Sequence, residues 1–186
     1  MPAHAPSRAI IDLDAYAHNL GVVRSMIPPE CRILAVVKSD AYGHGIVRIA
    51  ERAVREKAAM LGVATIEEAV TLRERGVTAP ILVMIEPDGA SVAAAAEFDL
   101  RLTISDVAIA EKIGEQARKA NRVVPVHCKV DTGMGRQGFD IDSAADEMLF
   151  LTRISHIDIE GIATHFPRAD DPRDPLTANQ IRTFRS

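Results

Sequence analysis

The chain has 186 residues and a mass of 20.1 kDa, the size of one domain, and two full domains would be a tight fit. Its 47% hydrophobic and 26% charged residues exclude a disordered chain, and a formal charge of -4 argues against nucleic acid as a partner. No apolar stretch has the length of a signal peptide or membrane span, and Cys31 and Cys128 lack CxxC or Cys/His spacing, so the reading is a cytoplasmic protein with no metal site and both cysteines reduced in strands.

Only 4% of residues are aromatic, so Ala, Val, Ile and Leu must fill the core. After a polar leader and a weakly alternating segment over 8–13, Asp14 is expected to cap a helix over 15–27 with Leu20, Val23 and Ile27 on one face. Pro28-Pro29 ends it. The apolar run 33–37 reads as a strand buried on both faces, with Lys38 directly after it. Ile46, Ile49, Ala50, Ala53 and Val54 predict a helix over 45–57, followed by a strand over 60–64. Thr65 and Glu68 form a capping-box signature for a helix over 66–75 that stops at Gly76. The alternation repeats with a strand over 81–85, an Ala-rich helix after Asp88, a strand over 100–104, a helix over 106–120 and a strand over 123–130. A helix near 143–151, a strand over 157–164 and a short helix capped by Thr177 and Gln180 complete the series. This order implies parallel β/α units, either a doubly wound sheet or a barrel. About six strands are visible, whereas an eight-stranded barrel takes about 250 residues.

Three segments could carry chemistry. Lys38 stands at the carboxyl end of a buried strand, where α/β folds place active sites and where a partly desolvated amine can form a Schiff base. Alone it would read as a surface lysine. Gly133, Gly135 and Gly138 formally spell GxGxxG, but the run follows a late strand and does not open a helix at once, which disfavours dinucleotide binding. A glycine-rich turn that points Arg136 back toward the strand ends is the better account. His165 ends a further strand. A lysine, an arginine and a histidine at the ends of one parallel sheet suit an aldehyde cofactor carrying an anionic group. HExxH, Walker A and GxSxG patterns are absent from the sequence.

The segments AVVKSDAYGHG, KVDTGMGRQG and GIATHF resemble, in order, three motifs of the alanine racemase family, and Ile11-Asp12-Leu13-Asp14 with His18-Asn19-Leu20 is similar to its opening segment. The resemblance runs from about Ala9 to the C-terminus; Ser39 stands where the family mostly has alanine. It implies α/β architecture, a (β/α)8 TIM-type barrel that carries pyridoxal 5'-phosphate, followed in the family by a mainly β domain that completes the site across a homodimer. Residues 1–186 would then be an incomplete barrel domain with the β domain absent, exposing an apolar edge prone to aggregation. By the same resemblance Lys38 would hold the cofactor as a Schiff base and exchange the α-proton on the D-alanine face. Tyr42 would donate to the cofactor phosphate, Arg136 would bond the phenolic oxygen and help hold the substrate carboxylate, and His165 would pack on the pyridine ring. Lys129 matches a position carbamylated in many members, where the added carboxylate positions the arginine.

The implied activity is interconversion of L- and D-alanine for peptidoglycan. Racemisation needs a base on each face, which the family completes with a tyrosine from the partner subunit's β domain. This chain has only Tyr16 and Tyr42, neither suited, so alone it is expected to be weak or inactive. Alternatives are another amino-acid racemase of the same fold, for serine or of broad specificity, a non-catalytic pyridoxal phosphate-binding fragment, and a dinucleotide-dependent oxidoreductase built on the glycine run.

Overall fold

In the computed structural model, which describes residues 8–87 and 91–185, Asp12 rather than Asp14 caps the first helix, α1 (Leu13–Met26). Its carboxylate accepts the N–H groups of Asp14 and Ala15 at 2.9 and 3.0 Å. Asp14 instead pairs with Arg52 at 2.8 Å. Leu13, Tyr16 and Leu20 touch the core while Val23 and Met26 face solvent, so the expected apolar face is only partly used. The reason is that α1 meets the body along a narrow strip, chiefly on α3 (Ile46–Arg55).

From there strand and helix alternate. β1 (Leu34–Val36) leads through a single turn, α2 (Lys38–Gly43), into α3; β2 (Met60–Val63) leads to α4 (Ile66–Glu74), and β3 (Ile81–Val83) to α5 (Val92–Glu97). β4 (Arg101–Ile104) leads to α6 (Val107–Lys119), β5 (Val124–Asp131) to β6 (Phe139–Asp140) and α7 (Ala144–Leu151), and β7 (Ile157–Ala163) to α8 (Leu176–Arg185). The Thr65/Glu68 capping box is present at α4, and Asp106 caps α6. Asp88 lies outside the described residues. Cys31 is exposed in the loop before β1 rather than in a strand, because Pro28-Pro29 turns the chain there and the Cys31 N–H closes onto the Pro28 carbonyl at 2.9 Å. Thr177 and Gln180 do not cap α8: Asp174 accepts the Leu176 N–H at 2.9 Å, and Gln180 is wholly buried within the helix.

Every strand pairing is parallel, and the spatial order β1-β2-β3-β4-β5-β7 follows the chain, with the short β6 against the end of β5. A doubly wound sheet reverses its order at a switch point. A strand order that never reverses is that of a barrel wall. β5 alternates buried Val124, Val126, Cys128 and Val130 with half-buried Pro125, His127, Lys129 and Asp131. The apolar set packs under the helices with Leu61, Ile81, Leu102 and Ile113, all fully buried, each worth roughly 1.5–3 kcal/mol relative to exposure. Burial pushes the Cys128 thiol up to about 11, which keeps it protonated.

β1 departs from the expectation of burial on both faces: Ala35 and Val37 are buried, but Val36 is 36% exposed. β1 is an end strand that pairs only with β2 among the described residues, which leaves Val36 less covered. In β7, Val126 pairs with Ile159 while His127 pairs with Gly161, so Glu160 is the extra residue of a bulge. Its carboxylate takes Arg101 through two nitrogens at 2.7 and 3.2 Å and His127 at 3.3 Å. Burial opposes ionisation of Glu160, but these two partners outweigh it and hold the carboxyl below the usual range.

Candidate active site

The turn after β1 is the least regular backbone among the described residues. Ser39, Asp40, Ala41 and Tyr42 all have φ between 51 and 55°, one turn of left-handed helix built without glycine. Each such L-residue costs roughly 1–2 kcal/mol, so the turn must be held from outside its own propensity. Ala41 donates to the Val37 carbonyl at 2.8 Å, Gly45 to the Asp40 carbonyl at 2.9 Å, and Asp40 Oδ1 accepts the Ile46 N–H at 2.7 Å. Gly43 and Gly45, at φ 82 and 90°, then release the chain into α3. The result leaves Lys38 half-buried at the head of the turn and Tyr42 62% exposed at its foot. A cleft of about 570 Å³ runs beside Tyr42, lined also by Ile11, Tyr16, Val36 and His44. It meets the turn through Ala41 and Tyr42 and does not include the cationic residues described next.

The loop after β5 is organised by Asp131. Oδ1 accepts the N–H groups of Gly133 and Met134 at 2.9 and 2.8 Å, and Oδ2 accepts that of Arg136 at 2.9 Å. Burial works against its ionisation, but the N–H groups of Gly133, Gly135, Arg136 and Met134 prevail and hold the carboxyl below the usual range. Gly138 then crosses β5 so closely that a Cβ would stand 2.3 Å from the Asp131 nitrogen, at φ 149°. The glycine run therefore serves a tight crossing into β6, and no helix N-terminus follows it directly.

The third piece is the end of β7. Gln180 Nε2 donates to the His165 carbonyl at 2.9 Å and to Thr132 Oγ1 at 3.2 Å, and Thr132 meets Thr164 at 2.8 Å. α8 thereby ties the loop of Arg136 to the strand end of His165. Sequence reasoning missed this role because a glutamine near a helix start reads as a cap. Glu68 and Asp131 were also missed; a carboxylate just before a glycine-rich run was the available sign for Asp131.

Lys38, Lys129, Arg136 and His165 come together at the carboxyl ends of β1, β5 and β7. Burial, followed by Arg136 and then Lys38, lowers the Lys129 pKa, with Asp131 partly opposing. Burial, Arg136, Lys129 and Lys38 in that order lower that of His165. Among the described residues no ion pair forms to Lys38, Lys129 or Arg136. Asp131, the acid on the same strand, has both oxygens engaged by backbone. Positive charge gathered with Asp131 as its one acidic neighbour on the strand and no ion pair to it among the described residues, beside a half-buried lysine, suits a ligand that brings phosphate or carboxylate groups and a carbonyl carbon. The residues thus fit pyridoxal phosphate.

The fold is that of a β/α-barrel-type domain, with Lys38, Lys129, Arg136 and His165 near its strand ends. The model of the alanine racemase N-terminal domain matches residues 11–186, and the chain belongs to that family. The alanine racemase of Beutenbergia cavernae is 40% identical over 182 residues, covering 96% of this chain and 48% of that protein. That of Symbiobacterium thermophilum is 37% identical over 179 residues, covering 96% and 47%. Among solved structures, alanine racemase of Clostridium difficile 630 in complex with cycloserine has a TM-score of 0.94 at 32% identity, covering 98% of this chain and 50% of that one. Histidine racemase from Leuconostoc mesenteroides subsp. sake has a TM-score of 0.88 at 28% identity, covering 97% and 50%. The chain spans about half the length of the curated relatives it matches. Among the described residues no helix is long and apolar enough to cross a membrane.

Proposed function

We propose that this chain is the pyridoxal phosphate-binding part of an alanine racemase that interconverts L- and D-alanine in the cytoplasm for peptidoglycan, acting as a homodimer. The observation that carries the reading is the convergence of Lys38, Lys129, Arg136 and His165, with no ion pair to them among the described residues, in a member of the alanine racemase family. When bound, pyridoxal phosphate supplies the electron sink for the charge left by a departing α-proton. Lys38 would hold the cofactor through its amine and would move the α-proton on the D-alanine face. Arg136 would hold the phenolic oxygen and the substrate carboxylate. Tyr42 would offer its hydroxyl to the phosphate, and His165 would pack on the ring.

Lys129 is argued from charge. A lowered pKa raises the share of neutral amine, the form that adds CO2 to give a carbamate with loss of a proton. The carbamate would put a negative charge beside Arg136 and relieve the crowding of cations. An intact native mass without the added CO2 on Lys129 would count against it.

The second base is proposed to come from outside this chain, on the β domain of a partner subunit. Tyr16 lies half-buried in α1 with its hydroxyl pKa raised by burial, and Tyr42 is assigned to the phosphate. Residues 1–186 alone should therefore show weak or no turnover. The test is to add pyridoxal phosphate to the purified chain, follow L-alanine to D-alanine, and map the cofactor after borohydride reduction. Attachment at Lys38 with little turnover is expected; attachment at another lysine overturns the site, and robust turnover overturns the missing base. The likeness to a histidine racemase supports a second reading, racemisation of a different amino acid, which a panel of L-amino acids in the same assay separates.

A further inference from the structure

Glu68 does more than a capping box requires. One carboxylate oxygen, Oε2, serves the helix start of α4, accepting the N–H of Ala64 at 2.7 Å and of Thr65 at 3.4 Å. In return Thr65 Oγ1 accepts the Glu68 N–H at 3.4 Å. The other oxygen, Oε1, leaves the helix and accepts the N–H of Ser39 at 2.6 Å, across 29 residues of sequence. A capping box needs only one oxygen of its N3 side chain. The second oxygen holds the peptide that joins Lys38 to the left-handed turn.

The bonds of Ala41, His44, Gly45 and Asp40 run to Val37 and Ile46 or within 40–45, their own stretch of chain, and one residue earlier Val37 donates to the Gly62 carbonyl at 2.8 Å. Among the described residues, the bond from Glu68 is the one that ties the Lys38–Ser39 peptide to the neighbouring β/α unit. It is charge-assisted and short, the stronger kind of hydrogen bond. Four consecutive residues in left-handed conformation would relax if that first peptide were free to rotate, and Lys38 and Tyr42 sit at the two ends of what would move.

We propose that Glu68 is a positioning residue for Lys38: its free oxygen fixes the Lys38–Ser39 peptide, sets the left-handed turn, and so keeps the lysine amine with Lys129, Arg136 and His165. The proposal rests on the reading of Lys38 as the cofactor lysine. A purely structural cap makes a different prediction, because Thr65 is the other half of the same capping box and makes no bond to Ser39.

The experiment compares Glu68→Gln with Thr65→Ala in the purified protein. Glutamine keeps the size of glutamate but has a single acceptor oxygen, so it cannot serve both Ser39 and Ala64. Amide hydrogen exchange over residues 39–43 is measured without cofactor, and the rate of borohydride-trapped pyridoxal phosphate on Lys38 with it, alongside Tm. Glu68→Gln should speed exchange and slow capture about tenfold each, the factor for loss of one charge-assisted bond. Thr65→Ala should leave both within about twofold while lowering Tm comparably. Glu68→Asp, too short to span both sites, should behave as Glu68→Gln. If Glu68→Gln and Thr65→Ala are indistinguishable, or if both Glu68 variants unfold while Thr65→Ala folds, Glu68 is only a structural cap and the proposal fails. If the wild-type protein places no cofactor on Lys38, the cofactor reading fails instead, and the exchange data still decide whether Glu68 holds the turn.

Discussion

At the scale of single residues, charge decides how the site behaves. His165 stands at a strand end with its pKa lowered by burial and by the cations of Arg136, Lys129 and Lys38. A base whose pKa is lower in the fold binds fewer protons there than in the unfolded chain. Its contribution to stability is therefore level above the ordinary histidine value of 6.5 and falls as the pH drops below it toward the lowered value. Histidine NMR should show His165 titrating below that ordinary value. Replacing Lys129 by Met should move the titration downward if position 129 carries the negative charge of a carbamate, and upward if it is a free ammonium, so the direction of the move tests the modification. Lys38 and His165 stood out because each follows a predicted strand, and Arg136 because it sits in a glycine-rich turn after one. The bonds of Glu68 to Ser39 and of Gln180 to His165 were not legible, since each reaches a distant loop that no local spacing announces.

Elements show the same division. The capping box at Thr65, the Asp106 cap and the burial alternation of β5 follow from local pattern. The left-handed turn does not, because four non-glycine residues at positive φ contradict local propensity and persist only through their hydrogen bonds. Two glycines of one loop should differ sharply. Gly138→Ala forces a Cβ into the backbone of β5 and should cost about 3 kcal/mol in urea unfolding. Gly135→Ala meets nothing within 4 Å and should cost only about 1 kcal/mol, from its φ of 72°. Arg73 on α4 donates to the carbonyls of Val77, Ala79, Phe98 and Asp99, at 2.7, 2.7, 2.9 and 3.1 Å. Arg73→Lys cannot reproduce that planar fork, and a loss of about 2 kcal/mol is expected in the same assay.

For the whole molecule, the decisive property is a sheet with two ends. β1 and β7 terminate the strand order among the described residues, Val36 and Ile162 on them are 36% and 52% exposed, and Leu149 and Phe150 on α7 are exposed as well. End strands with free backbone groups recruit other chains. The isolated chain should therefore self-associate as its concentration rises, measured by light scattering. Val36→Lys, which places a charge on β1, should reduce that association several-fold; an unchanged profile would put the contact elsewhere.

The sequence by itself determined the alternation of β/α units, the parallel sheet and the identity of the candidate cationic residues, because apolar periodicity and strand-end position are local properties of the chain. It also carried the family motifs. Left open by the sequence was the choice between a doubly wound sheet and a barrel wall, since strand order is set by how units pack and not by their spacing. Tertiary structure also decided which polar side chains reach across: Glu68 to Ser39, Gln180 to His165, and Glu160 to Arg101 and His127. Those bonds join residues far apart in the chain, and only the packing of one β/α unit on the next brings their atoms within hydrogen-bond distance.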